Sequence, residues 1–211
     1  MAQPVVTCLD MEGVLFPEIW LAVAEQTGIE ELLKTTRDIP DYDELMKQRL
    51  AVLRRHSITL KDIQQVVKGL HPLKGVKEFL TWLRERCQVI ILSDTYYEFV
   101  GPLMSQIQYP TIFCHTLEVD HQGFLTQYFL RQQDQKRQTV RALKNLGFRV
   151  LAAGDSYNDI SMLQEADAGI LFQPPISIQK EFPQLPIAQT YQALQEILFQ
   201  KGVFPYQGES S

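Results

Sequence analysis

Three short apolar runs in this chain each stop at an aspartate. They are Val5-Val6-Thr7-Cys8-Leu9 before Asp10, Val89-Ile90-Ile91-Leu92-Ser93 before Asp94, and Val150-Leu151-Ala152-Ala153-Gly154 before Asp155. Runs of this length, rich in β-branched residues, predict strands buried on both faces, as in a parallel sheet. A further strand signal begins at Ala168, and helical patterns fill most of the intervals, which gives a βαβ rhythm. The fold class is therefore α/β with a Rossmann-like parallel sheet. In such a sheet the loops at the carboxyl ends of neighbouring strands share one crevice, where ligands bind. Carboxylates sent there from distant parts of the chain repel one another and call for a cation. A hard divalent ion such as Mg²⁺ suits them, because it takes carboxylate oxygens together with water and substrate phosphate.

One interval breaks the rhythm. Between Asp10 and the strand at Val89 the pattern predicts helices over 18–27, 42–55, 60–70 and 75–86. A crossover needs one helix, so the surplus, 16–71, reads as a helical insertion serving as a lid, and 71–75 reads as the hinge back. Farther on, 111–119 and 124–131 flank Asp120-His121-Gln122-Gly123, which predicts a small β-hairpin. Segments 1–15 and 72–201 then form the core domain, 16–71 a helical cap, and 202–211 a flexible tail of turn formers and small polar residues.

Composition narrows the function classes. The 211 residues, 45% hydrophobic, suit one domain with a small insertion. A net charge of −5 argues against broad nucleic-acid or anionic-membrane binding. No run is long enough to span a membrane and no signal peptide is evident, so the expected location is cytoplasmic. Cys8, Cys87 and Cys114 are widely spaced without a CxxC pair, which disfavours both a disulfide framework and a zinc site. Cys8 reads as a packed thiol in a core strand.

Two motifs carry the chemistry. Asp10-Met11-Glu12-Gly13-Val14 leaves the first strand with two carboxylates two positions apart, a pattern that fits a nucleophile and a proton donor. Alone, it reads more readily as a turn with solvated acids. Gly154-Asp155-Ser156-Tyr157-Asn158-Asp159 follows a strand and opens a helix, with Asp155 and Asp159 able to face one crevice. A capped helix start accounts for one of these acids but not for the pairing with Asp10.

With Ser93 ending the second strand and with Lys136, these motifs resemble the four motifs of the haloacid dehalogenase (HAD) superfamily. Within it, the chain is most similar to phosphoserine phosphatases with a small helical C1-type cap after the first motif. It resembles in particular the subgroup described as bifunctional phosphoserine phosphatase/homoserine phosphotransferase. The stretches 9–15, 17–20, 36–42 and 153–159 carry that similarity, which extends over about 5–198.

The resemblance implies a Mg²⁺-dependent enzyme of serine and threonine biosynthesis that removes phosphate from phosphoserine through an aspartyl-phosphate on Asp10. Transfer of that phosphate to homoserine is what the subgroup adds. Its partners would be small molecules, neither nucleic acid nor membrane, with a homodimer as one assembly open to it. The implied metal set is Asp10, the Glu12 carbonyl, Asp155 and Asp159. Ser93, Asp94, Lys136 and Asn158 would line the phosphoryl site, with Asp10, Glu12 and Lys136 catalytic, since phosphoryl transfer is mostly positioning and charge stabilisation. Glu12 stands where most phosphatases of the superfamily carry aspartate; one methylene longer, it keeps the same titrating group.

The cap supplies the implied substrate contacts. Arg49 falls within the apolar stripe Leu45, Met46, Leu50 and Leu53, so its guanidinium either meets an anion, as the substrate carboxylate would be, or snorkels to solvent. Glu18 either binds the substrate ammonium or is a plain helix-start acid. Asp134 is the expected N-cap that puts Lys136 in a first helical turn, where a cation is disfavoured unless an anion is near; Arg137 is the alternative phosphate ligand. Asp94 reads foremost as the cap of a helix starting near Thr95, and otherwise as a group ordering Lys136 or Arg49. The histidines at 56, 71, 115 and 121 share no ligand spacing, and Trp20 and Tyr42 read as packing.

Three rivals accompany this reading. A phosphatase for another small phosphometabolite would lack the amino-acid contacts. A degenerate binding domain would have no need of the nucleophile. A two-component receiver is disfavoured by the insertion straight after Asp10. No GxxxxGK[ST] loop is present, so phosphoserine rather than ATP would be the phosphate donor.

Overall fold

The computed structural model describes residues 3–201 apart from 36, 37 and 40. The expected tail 202–211 and part of the 36–42 stretch lie outside the described residues. Seven strands form one sheet in the order β4-β3-β2-β1-β5-β6-β7. Its core strands are β1 (Val5–Leu9), β2 (Gln88–Tyr96), β5 (Arg149–Gly154), β6 (Ala168–Phe172) and β7 (Ile187–Ala188), all parallel. β3 (Thr111–Val119) joins parallel to β2, and β4 (Leu125–Phe129) closes that edge as the antiparallel arm of the expected hairpin.

Alternation along the strands fills two separate cores. Val5 and Leu9 of β1 pack on one face, while Val6 and Cys8 pack on the other with Val150, Ala152 and Leu171. Every residue of β1 is buried, so a polar substitution there would strand an unpaired group in a dry interior. β1 sits between β2 and β5, which brings the loops after these three strands together.

Between β1 and the next core helix lie α1 (Ile19–Thr27), a 3₁₀ turn (Glu30–Leu33), α2 (Tyr42–Arg55) and α3 (Leu60–Lys68). α2 begins with Asp41, whose carboxylate accepts from the Asp43 and Glu44 N–H groups, and α3 begins with a reciprocal Thr59–Asp62 capping box. The chain returns through α4 (Val76–Arg84), started by Gly75 at φ 96°, a backbone setting that L side chains rarely adopt. α5 (Tyr97–Gln106) follows β2 and α6 (Gln135–Asn145) precedes β5; α7 (Ile160–Glu165), α8 (Ile176–Glu181) and α9 (Tyr191–Lys201) complete the described residues.

The expected end of β2 at Asp94 needs correction. β2 pairs with β3 in register through Leu92, slips, and pairs again at Tyr96 with His115. Ser93-Asp94-Thr95 is thus an irregularity inside the strand, the kind of bulge that re-aims side chains beside active sites. α5 starts only at Tyr97, so Asp94 does not cap it.

Candidate active site

Asp10 leaves β1 with its backbone N–H donated to Ala153 O (2.9 Å), which ties the exit of β1 to β5. Its Oδ1 accepts from Met11 N–H (2.8 Å) and from Lys136 Nζ (2.8 Å). Both bonds fall on one oxygen, which leaves Oδ2 as the one that can attack an electrophile. Lys136 Nζ also donates to Asp159 Oδ1 (2.7 Å) and lies 3.6 Å from Asp94 Oδ2. Burial alone would pull this ammonium down; the carboxylates of Asp10, Asp159 and Asp94 outweigh it and hold it well above the usual lysine range.

Lys136 occupies the first turn of α6, as expected, but Asp134 does not cap that helix. Asp134 takes a left-handed backbone (φ 48°), and its carboxylate accepts instead from Ser161 Oγ (2.7 Å). Arg137, the alternative phosphate ligand, pairs instead with Glu165 (2.9 Å).

Asp155 and Asp159 come from the loop after β5. Asp159 is fully buried, and its Oδ2 accepts from the N–H groups of Asp155 (3.0 Å) and Ser156 (3.1 Å). With Lys136 on its other oxygen, Asp159 orders the loop that presents Asp155. Gly154 permits this, because a Cβ there would collide with the Asp159 carboxyl group. Gly13 (φ 78°) does the same for Asp155: a Cβ would sit 2.5 Å from its carboxylate.

Asp10, Asp155 and Asp159 offer oxygens within 4.8 Å of one another, and Asp155 Oδ1 is buried with no hydrogen-bond partner. An all-oxygen, anionic set with an unpartnered buried oxygen fits a hard divalent cation. Burial and mutual repulsion both disfavour the charged forms. Burial, then Asp159 and Glu18, push the Asp155 carboxyl up to about 7. Burial, with Asp159 and Asp155, raises Asp10 well above the usual carboxylate range against the pull of Lys136.

Glu12 Oε1 accepts the Ile19 N–H (2.8 Å), so this acid caps α1 across the loop. Burial first, then Glu18, push its carboxyl up to about 8. Glu18, at the N-cap position of α1, is solvent-exposed yet acts on both Glu12 and Asp155, which sets it at the mouth of the site. Arg49 is buried on α2, with its guanidinium 4.5 Å over the Trp20 ring and Nη2 donating to Lys34 O (2.9 Å). Its Nε has no partner among the described residues, and Glu12 and Glu18 both act on its charge. Trp20 therefore carries a guanidinium as well as packing on Phe99.

Ser93 is buried in the β2 irregularity, and its Oγ accepts from Thr95 N–H (3.3 Å). The Asp94 carboxylate, expected beside a phosphoryl group, instead gathers donors: Gln135 Nε2 (3.0 Å), Asn158 Nδ2 (2.8 Å) and, at 3.5 Å, His115 Nε2. A cavity of about 340 Å³ opens beside it, lined among others by Tyr42, His115, Lys136 and Asn158. Gln135 and His115 were not singled out from sequence. A histidine inside a predicted strand was the available signal for His115; Gln135, in the all-polar first turn of α6, carried none.

The haloacid dehalogenase-like hydrolase family model matches residues 8–167, which takes in all of these loops. The chain belongs to that family. Among similar family members, "Phosphoserine phosphatase ThrH" of Pseudomonas aeruginosa is 59% identical over 189 residues, 90% of this chain and 92% of that protein. "Phosphoserine phosphatase" of Pseudomonas syringae pv. tomato is 58% identical over 191 residues, 90% of this chain and 81% of that protein. The solved structure "Phospho-Aspartyl Intermediate Analogue of Phosphoserine phosphatase" shares the fold, with a TM-score of 0.76 at 22% identity over 94% of this chain and 99% of that one.

Proposed function

We propose that this HAD hydrolase is a Mg²⁺-dependent phosphoserine phosphatase working through an aspartyl-phosphate on Asp10, and that it also passes the phosphoryl group to homoserine. The observation that carries the reading is the convergence of Asp10, Asp155 and Asp159 around the buried Lys136. The names of the relatives at 58–59% identity support the substrate, and Glu18 and Arg49 suit an amino-acid head bearing one charge of each sign. Segment 16–71 serves as the cap that carries those two residues over a core of 1–15 and 72–201.

Asp10, the Glu12 carbonyl and Asp155 would hold Mg²⁺, with Asp159 supporting them, and the bound ion would offset the charge of the phosphate and of these carboxylates. Asp10 Oδ2 attacks phosphorus as the bond to the serine oxygen breaks. Glu12, held protonated at neutral pH, gives its proton to that departing oxygen. Lys136, Ser93 and Asn158 steady the transferring oxygens. Glu12, now a carboxylate, then takes a proton from water, whose oxygen bonds to phosphorus and frees Asp10. A homoserine hydroxyl entering in place of water gives phosphohomoserine by the same step.

The test is incubation with phosphoserine and Mg²⁺, with and without homoserine, following free phosphate and phosphohomoserine. Absence of both products refutes the reading; phosphate without phosphohomoserine removes the transfer alone. Arg49→Ala should depress phosphoserine turnover far more than p-nitrophenyl phosphate turnover, and equal losses would refute the amino-acid head assignment.

A further inference from the structure

We propose that Asp94, oriented by His115 and Gln135, is a positioning residue that fixes Lys136 and Asn158 for phosphoryl binding. This rests on the reading of those two as phosphoryl ligands. Asp94 is itself unsuited to binding phosphate, since two anions at contact distance repel. Its surroundings are built for an anion on the protein instead. Oδ1 receives Gln135 Nε2 and faces His115 Nε2; Oδ2 receives Asn158 Nδ2 and faces Lys136 Nζ. Four donors thus come from β3, α6 and the loop after β5, and meet at one carboxylate raised from the β2 irregularity.

Two of the donors, His115 and Gln135, are themselves locked by Arg131. Its backbone N–H donates to His115 Nδ1 (3.1 Å), so that nitrogen carries no proton and the ring proton sits on Nε2, aimed at Asp94. Its side-chain Nε donates to Gln135 Oε1 (3.0 Å), which turns the amide so that Nε2 reaches both Ser93 O (2.6 Å) and Asp94 Oδ1. One residue therefore settles the tautomer of the histidine and the orientation of the amide. His115 is buried and belongs to a strand that otherwise contributes nothing to the site, so its proton has a single evident use. Asp94 in turn gives the Lys136 ammonium a third anionic neighbour beside Asp10 and Asp159, and holds the Asn158 amide by one end. A lysine ammonium is a flexible point charge, and such outer hydrogen bonds are what hold it in one orientation.

The experiment uses p-nitrophenyl phosphate turnover, competitive inhibition by inorganic phosphate, and thermal melting of the full chain with Mg²⁺. These readouts do not depend on amino-acid recognition, so failure with phosphoserine in the unsubstituted protein tests the preceding reading separately. Asp94→Asn is nearly isosteric but sets an NH₂ against a donor whichever way the amide turns. It should lower kcat/KM by roughly 10–100-fold and weaken phosphate inhibition, with little change in Tm. His115→Leu should show the same pattern to a smaller degree. His115→Gln, whose Nε2 can donate from a similar place, should restore most of the loss. Asp94→Asn with unaltered turnover and phosphate inhibition would overturn the proposal. So would His115→Gln as impaired as His115→Leu, since that would mean a titrating rather than a positioning role.

Discussion

Glu12 shows how one side chain can do structural and chemical work at once. One oxygen caps α1 through Ile19 N–H, and burial beside Glu18 keeps the group protonated near neutrality. Glu12→Gln preserves the cap and the volume but removes the proton, so folding should be spared while phosphoserine turnover falls by about 10²–10⁴-fold. Nitrophenolate leaves without help, so with p-nitrophenyl phosphate the variant should release about one equivalent per site quickly and then slow, as the phosphorylated Asp10 waits for a base. A stopped-flow trace without that burst would count against the role. Asp10→Asn should abolish turnover of both substrates and any acid-stable phosphoryl label on the protein. Asp10 and Asp155 were legible in the sequence because each ends a strand of unmistakable pattern. The tie between Asp94 and His115 was not, because it depends on a register slip in β2 that leaves no periodic trace. Asp134 misled for a related reason: residue preference marks an N-cap position, whereas a left-handed backbone there turns the carboxylate to Ser161.

At the scale of elements, the β3–β4 hairpin holds the helical insertion against the core. Arg54 of α2 pairs with Asp120 (2.9 Å) and lies 4.1 Å over the Phe124 ring, and Tyr128 donates to Asp43 Oδ1 (2.7 Å). Leu60 N–H donates to Gly123 O (2.8 Å), and the Tyr42 hydroxyl meets that of Tyr96 (2.9 Å) directly over the Asp94 carbonyl. The Arg54 and Tyr128 contacts are exposed, so each adds little to global stability. Their shared effect is on how the insertion sits over the nucleophile. Arg54→Ala combined with Tyr128→Phe should therefore raise KM for phosphoserine several-fold, leave KM for p-nitrophenyl phosphate nearly unchanged, and shift Tm little. Steady-state kinetics on both substrates decide it, and parallel changes would assign the hairpin a merely structural role. The helices and the hairpin were each readable from spacing and turn residues, but their docking joins positions 66 and 85 apart in sequence, which local patterns do not encode.

For the molecule as a whole, the sheet gathers more buried negative charge at one end than Lys136 can balance, and this makes stability depend on pH and metal together. Without a cation, burial and mutual repulsion raise Asp155 to about 7 and Glu12 to about 8, and raise Asp10 as well. In the unfolded chain the same groups titrate near their ordinary values, about 4. Between those limits the folded state binds more protons than the unfolded one, so the slope of unfolding free energy against pH is negative. Their favourable contribution is complete below about pH 4 and is lost as pH climbs through 7 and 8. Asp94 has the opposite sign: the combined pull of Lys136 and its hydrogen bonds outweighs burial and holds it below the usual range, so its contribution fades only in strong acid. Metal-free protein should accordingly melt highest near pH 5 and progressively lower toward pH 8. A divalent cation binds the Asp10 and Asp155 carboxylates in their charged form and so removes the penalty for ionising those two. Added Mg²⁺ should raise Tm strongly at pH 8 and hardly at pH 5, because at pH 5 protons already occupy the oxygens the ion would take. Melts in chelator and in excess Mg²⁺ at both pH values test this. A chelated protein whose Tm is level from pH 5 to 8, or equal gains from Mg²⁺ at both, would mean that these carboxylates do not share a cation.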